Sequence, residues 1–488
     1  MNSTSPINGK SYKVPAGNDK AGIESFINQN RGKKIVVVQG LGFVGAAMSL
    51  VVANSKEDYA VIGVDTATSE GYWKIASING GELPLASSDI KLKQYFDNAK
   101  QKENIYATYD NLAYSLADVI IIDINLDVEK VLGDLNELQG YNVDLRKFKN
   151  AVCAVLNSCK EDVLVLVETT VPPGTCSKVI KPLVNEIFME RGLDVEKIKL
   201  AHSYERVMPG PNYIDSIENF YRVYSGINEL SADAAESFLK TIIKTSEYPL
   251  TRLSNTNASE ISKVLENSYR AMNIAFIQEW TELADAAGVD LYEVISAIRM
   301  RPTHKNIMRP GLGVGGYCLT KDPLLASWAS QEMFHCRPLT QSVAAVTIND
   351  QMPLYSLKVL KERFGEGLKG TKVLFLGVSY LNDVGDTRFT PVELIYDQIK
   401  ELGADVYLHD PYLSVWEEKG LPVEGELNLQ SVDIVIVTVS HKQFISEEYF
   451  CYINKIKPEF ILDTLGCYLS YEDKIDDKIE LKIIGKGV

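Results

Sequence analysis

The chain has 488 residues, enough for about three domains of ordinary size. Hydrophobic residues make up 45% and charged residues 24%, a globular composition that excludes a disordered chain. Acidic residues number 65 against 50 basic, a formal net charge of -15, which excludes nucleic-acid binding through bulk charge but not a local basic pocket for a phosphorylated small molecule.

The N-terminus, MNSTSPINGKSYKVPAGNDK, is polar and lacks the apolar core of a signal peptide. Residues 1–32 read as a polar arm. The longest uncharged apolar-rich stretch, Leu41 to Asn54, is too short to cross a bilayer. A soluble, cytoplasmic chain with no membrane or nucleic-acid partner is expected. The seven cysteines are scattered and form no CxxC pair, so neither a disulfide framework nor a metal site is expected.

From Lys33 strand and helix patterns alternate. Ile35 to Val38, Ala60 to Asp65, Val119 to Ile124 and Val163 to Thr170 are apolar runs suited to a parallel sheet covered on both faces. Between the first two, Gly40-Leu41-Gly42-Phe43-Val44-Gly45 has the G-x-G-x-x-G spacing. It follows a strand and opens a helix, and Asp65 lies at the end of the next strand, the context a dinucleotide fingerprint requires. Gly40 permits the tight turn, Gly42 the approach of a pyrophosphate and Gly45 close helix–strand packing. The N-terminus of the helix that Phe43 and Val44 open would offer N–H donors to the phosphates. The Asp65 carboxylate would accept from the ribose hydroxyls and repel a 2′-phosphate, which favours NAD over NADP.

From about Asn257 to Ala287 runs one long helical pattern, with Ile261, Leu265, Met272, Phe276, Leu283 and Ala287 at spacings of four and seven. Asn257 with Glu260 resembles a capping box. Next comes Gly311-Leu312-Gly313-Val314-Gly315-Gly316-Tyr317-Cys318, followed by Asp322. Four glycines would let the backbone pass close to a bulky ligand, and Cys318 is a candidate nucleophile; a buried structural cysteine is the alternative. Past Pro353 the alternation returns, with strands at Thr371 to Val378, Ala404 to Asp410, Val432 to Val439 and Phe460 to Leu465. The fold class is α/β: two Rossmann-like doubly wound domains joined by a long central helix and a small helical domain.

Co-linear motifs carry a family resemblance from Lys33 to the C-terminus. They are KIVVVQGLGFVG, ETTVPPGT (Glu168 to Thr175), ERVMPG (Glu205 to Gly210), ASEISKVLENSYRAMNIAF (Ala258 to Phe276), GVGGYCLTKDP and GVSYLNDVGDTRFTP (Gly377 to Pro391). The chain resembles the UDP-sugar 6-dehydrogenases of the UDP-glucose/GDP-mannose dehydrogenase superfamily. The resemblance implies an NAD-binding domain at 33–250, a central helical dimerisation domain with the nucleophile loop at 251–355, and a UDP-sugar-binding domain at 356–488. It implies oxidation of a carbon-6 alcohol to a carboxylate with reduction of two NAD, for surface polysaccharide precursors. Cys318 falls on the nucleophile that passes through thiohemiacetal and thioester.

Lys263 and Asn267, four residues apart on one helical face, match the groups that stabilise an oxyanion at carbon 6. Asp322 matches a carboxylate that positions water, Glu205 a general acid/base, and Thr170 a threonine that binds water and contacts the cofactor. Glu205, Arg206, Lys263, Asn267, Gly315 and Arg388 are the implied substrate contacts. Three positions depart from the pattern. Leu381 stands where a lysine often follows the aromatic residue, His304 where many members carry an arginine (with Arg301 and Arg309 nearby), and Gln39 where the residue is usually small or apolar. ERVMPG with Tyr221-Arg222-Val223 is more similar to the UDP-N-acetylhexosamine branch than to the UDP-glucose branch, which is the alternative. The resemblance and the length of the central helix both imply a homodimer or an assembly of dimers, with Phe276 and Trp280 in its core. Two other classes compete. A two-electron hydroxy-acid dehydrogenase would need no cysteine in the glycine-rich loop. A non-catalytic NAD sensor would have no use for Lys263, Asn267, Cys318 and Asp322 together.

Overall fold

A computed structural model describes residues 1–85, 87–208, 210–365, 367–425 and 431–487. Two compact units divide the chain. The first takes Met1–Asp127, Val143–Val264 and Trp328–Cys336; the second takes Val128–Asn142, Leu265–Ser327 and Arg337–Val488.

The polar stretch before Lys33 is ordered. Strands β1 (Asn2–Thr4) and β2 (Ser11–Lys13) pair antiparallel, and helix α1 (Lys20–Gln29) follows. Ile23 and Phe26 give α1 its apolar stripe; both are buried, and Phe26 stacks on Tyr106 with ring centroids 5.6 Å apart. Two buried apolar residues in a polar context carry little periodic signal, which is why the sequence alone reads as an arm.

The first unit then alternates β3 (Ile35–Gln39), α2 (Phe43–Ala53), β4 (Ala60–Val64), α3 (Tyr72–Gly80), α4 (Ile90–Gln101), β5 (Ile105–Thr108), α5 (Leu112–Leu116) and β6 (Val119–Ile122). The hairpin β7 (Glu129–Leu132) and β8 (Leu138–Asn142) belongs to the second unit. The first unit resumes with α6 (Arg146–Ser158), β9 (Leu164–Val167), α7 (Lys181–Glu190), β10 (Lys199–His202), α8 (Tyr213–Glu218), β11 (Val223–Gly226), α9 (Glu229–Ile242) and β12 (Thr251–Arg252). Its eight strands run in the order β12-β11-β10-β9-β6-β3-β4-β5, parallel except at β10/β11. The six from β5 to β10 follow the doubly wound order, whose reversal falls between β3 and β6. Runs such as Val36-Val37-Val38 and Ile120-Ile121-Ile122 are wholly buried, as a sheet covered on both faces demands.

Helix α10 (Thr256–Ala287) is 32 residues long and continues from the first unit into the second. It starts one residue before the expected cap, and the capping box is not formed. Asn255 Oδ1 accepts the N–H of Ala258 at 3.1 Å, while the Glu260 carboxylate turns to residues 174–176 instead. Then come α11 (Leu291–Arg299), α12 (Cys318–Glu332), α13 (Thr340–Gln351) and α14 (Pro353–Phe364). The second sheet follows: β13 (Lys372–Leu376), α15 (Val392–Glu401), β14 (Asp405–His409), a short pair β15 (Val415–Trp416) and β16 (Leu421–Pro422), β17 (Ile434–Val437), α16 (Glu447–Ile456), β18 (Phe460–Asp463) and β19 (Glu480–Ile483). Its order, β14-β13-β17-β18-β19, is all parallel and again doubly wound.

Among the described residues no helix is long and apolar enough to cross a membrane. Ile261, Leu265, Tyr269, Phe276, Trp280 and Leu283 form an exposed stripe along α10. Phe276 and Trp280 are 48% and 47% exposed in the single chain, so α10 does not bury all its faces within one subunit.

Candidate active site

The Gly40–Gly45 turn joins β3 to α2. Gly40 has φ +98, and a Cβ there would lie 2.4 Å from the Asp123 carbonyl oxygen. A Cβ at Gly45 would lie 1.9 Å from the Gly40 oxygen, so α2 packs on the turn only with glycine at that place. Gly42 is different: it caps α2, is exposed, and a Cβ there would meet nothing within 4 Å. Phe43 is exposed and Val44 half-buried beside it. The open backbone at a helix N-terminus suits the pyrophosphate of a dinucleotide.

Strand β4 stops at Val64, so Asp65 lies one residue past it rather than within it, and its carboxylate is already engaged. Oδ2 accepts the Leu41 N–H at 3.0 Å and the Lys74 ammonium at 2.8 Å, and Oδ1 accepts the Thr66 N–H at 2.7 Å. Lys74, in the first turn of α3, was not among the residues the sequence singled out. Gln39 donates through Nε2 to the Ala151 carbonyl at 3.0 Å, which explains a polar residue at the end of β3.

Just beyond β6 and β9 lies a buried acidic group that the sequence also concealed. Asp123 is 8% exposed, and neither carboxyl oxygen has a hydrogen-bond partner among the described residues. Burial first, then the negative charges of Glu168 and Glu205, push its carboxyl well above the usual range. Glu168 is itself fully buried and accepts from Arg222 Nη1 at 2.8 Å. The sequence predicts strands through Ile124 and Thr170, whereas they stop at Ile122 and Val167, where these acids begin.

Thr170 is half-buried, before the turn Pro172-Pro173-Gly174. Glu260 binds that turn, accepting the N–H of Gly174 at 2.6 Å and of Cys176 at 2.8 Å. Burial raises its carboxyl to about 7 despite these donors. Lys263, 7% exposed, donates to the Glu205 carbonyl at 2.8 Å and lies over the Tyr204 ring. The Glu205 carboxylate accepts the Val207 N–H. Arg206 stacks on Tyr204 and Phe220. Pro209 of the ERVMPG segment lies outside the described residues.

In the second unit Asn267 Nδ2 donates to Asp322 Oδ2 at 2.6 Å. Asp322 is fully buried. Cys318 is exposed and is the first residue of α12, one turn before Asp322. The glycine-rich loop that leads to it packs against the chain itself. A Cβ at Gly315 would sit 2.3 Å from the Phe389 oxygen and 2.6 Å from Tyr380 Cβ; one at Gly316 would meet the Tyr380 ring at 2.8 Å. The room those glycines leave is therefore taken by the 377–391 loop. Gly316 donates to the Arg388 carbonyl at 3.1 Å. Arg388 forks onto Asp386, with Nε 2.8 Å from Oδ1, and lies over the Tyr317 ring at 4.9 Å. Asn349 brackets the loop from α13, its Oδ1 accepting the Val314 N–H and its Nδ2 donating to the Val314 carbonyl, each at 2.8 Å.

His441 and Asp410, both fully buried, hold the start of the 377–391 loop: Nε2 is 3.1 Å from Asp410, and Nδ1 accepts the Asp383 N–H at 2.8 Å. Burial pushes the Asp410 carboxyl up, but His441 and the N–H groups of Val378 and Ser379 bring it below its ordinary value. Leu381, Arg301, His304 and Arg309 are exposed. Among the described residues no group of three or more His, Cys, Asp or Glu side chains is placed to hold a metal.

Models of the UDP-glucose/GDP-mannose dehydrogenase family match along the chain: its NAD binding domain at residues 33–245, its central domain at 257–351 and its UDP binding domain at 374–470. UDP-N-acetyl-D-mannosamine dehydrogenase of Methanococcus maripaludis strain C7 is 30% identical over 84% of this chain and 87% of its own. The protein of that name from Pyrococcus horikoshii is 28% identical over 88% and 94%. The crystal structure of NDP-N-acetyl-D-galactosaminuronic acid dehydrogenase from Methanosarcina mazei Go1 superposes with a TM-score of 0.75 at 25% identity, covering 95% of this chain and 98% of its own.

Proposed function

The chain belongs to the UDP-glucose/GDP-mannose dehydrogenase family and carries its NAD-binding domain, and from that premise we propose that it oxidises carbon 6 of a UDP-N-acetylhexosamine to the carboxylate. The relatives named for UDP-N-acetyl-D-mannosamine along most of their length support that sugar first. The observation that carries the chemistry is the Asn267–Asp322 pair, one helical turn from an exposed cysteine at a helix N-terminus.

The overall change consumes the alcohol, two NAD and one water, and yields the carboxylate, two NADH and three protons. The backbone of the Gly40–Gly45 turn would hold NAD, which would supply the hydride acceptor for each oxidation. At the alcohol stage Lys263 and Asn267 stabilise the negative charge that develops on the carbon-6 oxygen. Cys318, exposed at the first position of α12, adds to the aldehyde as a thiohemiacetal. Loss of the second hydride leaves a thioester. Asp322 and Thr170 position water for hydrolysis, and Glu205 moves the proton. The water oxygen bonds to carbon 6, the C–S bond breaks, and the Cys318 thiol is released. Arg206, Gly315 and Arg388 hold the nucleotide sugar.

We further infer that two copies associate through the exposed α10 stripe, where Phe276, Trp280 and Leu283 would lose their contact with water. A screen of UDP-sugars with NAD, following NADH absorbance, tests the reading. Two NADH per UDP-N-acetylmannosamine are expected. One NADH per sugar would overturn the four-electron chemistry, and turnover of UDP-glucose alone would move the substrate to the other branch.

A further inference from the structure

The region before Lys33 lies outside the family's NAD-binding match, which begins at residue 33. Its hairpin nevertheless grips α3, the helix that is linked to the glycine turn through Lys74 and Asp65. Helix α3 is only nine residues long, and its cap residue, Gly71, offers no side chain to the first-turn N–H groups. Ser3 of β1 supplies the missing acceptor: the Trp73 N–H donates to its Oγ at 2.9 Å. Trp73 is the second helical residue, the place where a serine cap normally binds, and Ser3 is wholly buried there.

The other end of α3 is held too. Glu82, just past the helix, accepts from Asn8 Nδ2 at 2.9 Å and from the Tyr12 hydroxyl at 3.0 Å, and pairs with Lys10. Between the two anchors α3 carries Lys74, whose ammonium meets Asp65 at 2.8 Å. The same Asp65 oxygen binds the Leu41 N–H inside the glycine turn. A continuous chain of contacts thus runs from Ser3 through α3 and Asp65 to the backbone that would face the cofactor.

We propose that the N-terminal hairpin is a cofactor-site brace: Ser3 caps α3 from outside the helix and so fixes Lys74 and Asp65 for NAD binding. Ser3 is a positioning residue. This inference rests on NAD binding at the Gly40–Gly45 turn.

The test is NAD titration calorimetry on the full chain carrying Ser3→Ala, Ser3→Thr, Glu82→Gln or Asp65→Ala, with amide exchange at Trp73 and UDP-sugar titration alongside. Losing a serine cap should weaken NAD about three- to tenfold and speed Trp73 exchange, with UDP-sugar affinity unchanged. Threonine keeps the hydroxyl and should restore binding; Glu82→Gln should weaken NAD in the same direction as Ser3→Ala. If Asp65→Ala weakens NAD while Ser3→Ala and Glu82→Gln do not, the brace is overturned and the cofactor site stands. A Ser3→Ala chain that melts earlier but binds NAD normally also overturns it, since the hairpin would then be scaffold only. If Asp65→Ala itself leaves NAD binding intact, the placement of the cofactor falls, and the brace with it.

Discussion

Cys318 is exposed and heads a 15-residue helix, which is where a covalent nucleophile is useful and a packing cysteine is not. Serine keeps the size and loses the nucleophilicity. Cys318→Ser should cut steady-state turnover by at least about a thousandfold while NAD and UDP-sugar affinities stay near normal, as calorimetry would report. Full turnover by that variant would remove Cys318 from the chemistry. Asp65 should make NAD the preferred cofactor by at least about tenfold, because a carboxylate accepts from ribose hydroxyls and repels a 2′-phosphate. Lys74 complicates this in a useful way. With Asp65→Ala the ammonium remains, so the preference should narrow, and kcat/KM with both cofactors would show it. An unchanged ratio would mean that Asp65 does not face the ribose.

At the scale of elements, the start of α10 is tied to the 174–176 turn by one buried carboxylate. Glu260 is fully buried and its carboxyl is raised to about 7. A carboxyl raised in the folded state binds protons more tightly there than in the unfolded chain. Its contribution therefore favours folding below about pH 4.5 and is lost progressively as pH rises to about 7, beyond which it is flat. Glu260→Ala should flatten that slope in denaturant melts taken between pH 5 and 8. It should also cost about 2–3 kcal/mol by leaving the N–H groups of Gly174 and Cys176 unbonded in the interior. A parent whose stability rises steadily from pH 5 to 7 at this site, judged against the variant, would contradict the assignment. In the glycine-rich loop the glycines admit Tyr380 and Phe389, and Asn349 brackets Val314, so three segments of the second unit hold the approach to Cys318.

At the scale of the molecule, six large apolar side chains along one face of α10 stand in water in the single chain. A stripe of that kind is costly unless a partner covers it. Sedimentation at micromolar concentration should give twice the chain mass or a multiple of it, and Trp280→Asp should shift it toward the monomer. A wild-type monomer with full activity would refute association through this face and any role for Arg301, His304 or Arg309 in a neighbour's site.

Local pattern alone carried the glycine turn, Asp65 just past its strand, the long central helix and four strands of each main sheet: β3, β4, β6 and β9 in the first, and β13, β14, β17 and β18 in the second. These are short-range features: a buried strand is a run of β-branched residues, and a fingerprint is a spacing set by one turn and one helix. Local pattern did not carry the partners of those residues. The Lys74–Asp65 pair, the buried Asp123 beside Glu168 and Arg222, the turn of Glu260 away from its expected capping box, and the His441–Asp410 contact each join side chains distant in sequence or diverted from a local bond. So does Ser3 on the helix that begins at Tyr72. Burial and hydrogen-bond satisfaction are properties of the packed chain, and a polar residue in an unremarkable stretch acquires its meaning only when folding decides what is left to satisfy it.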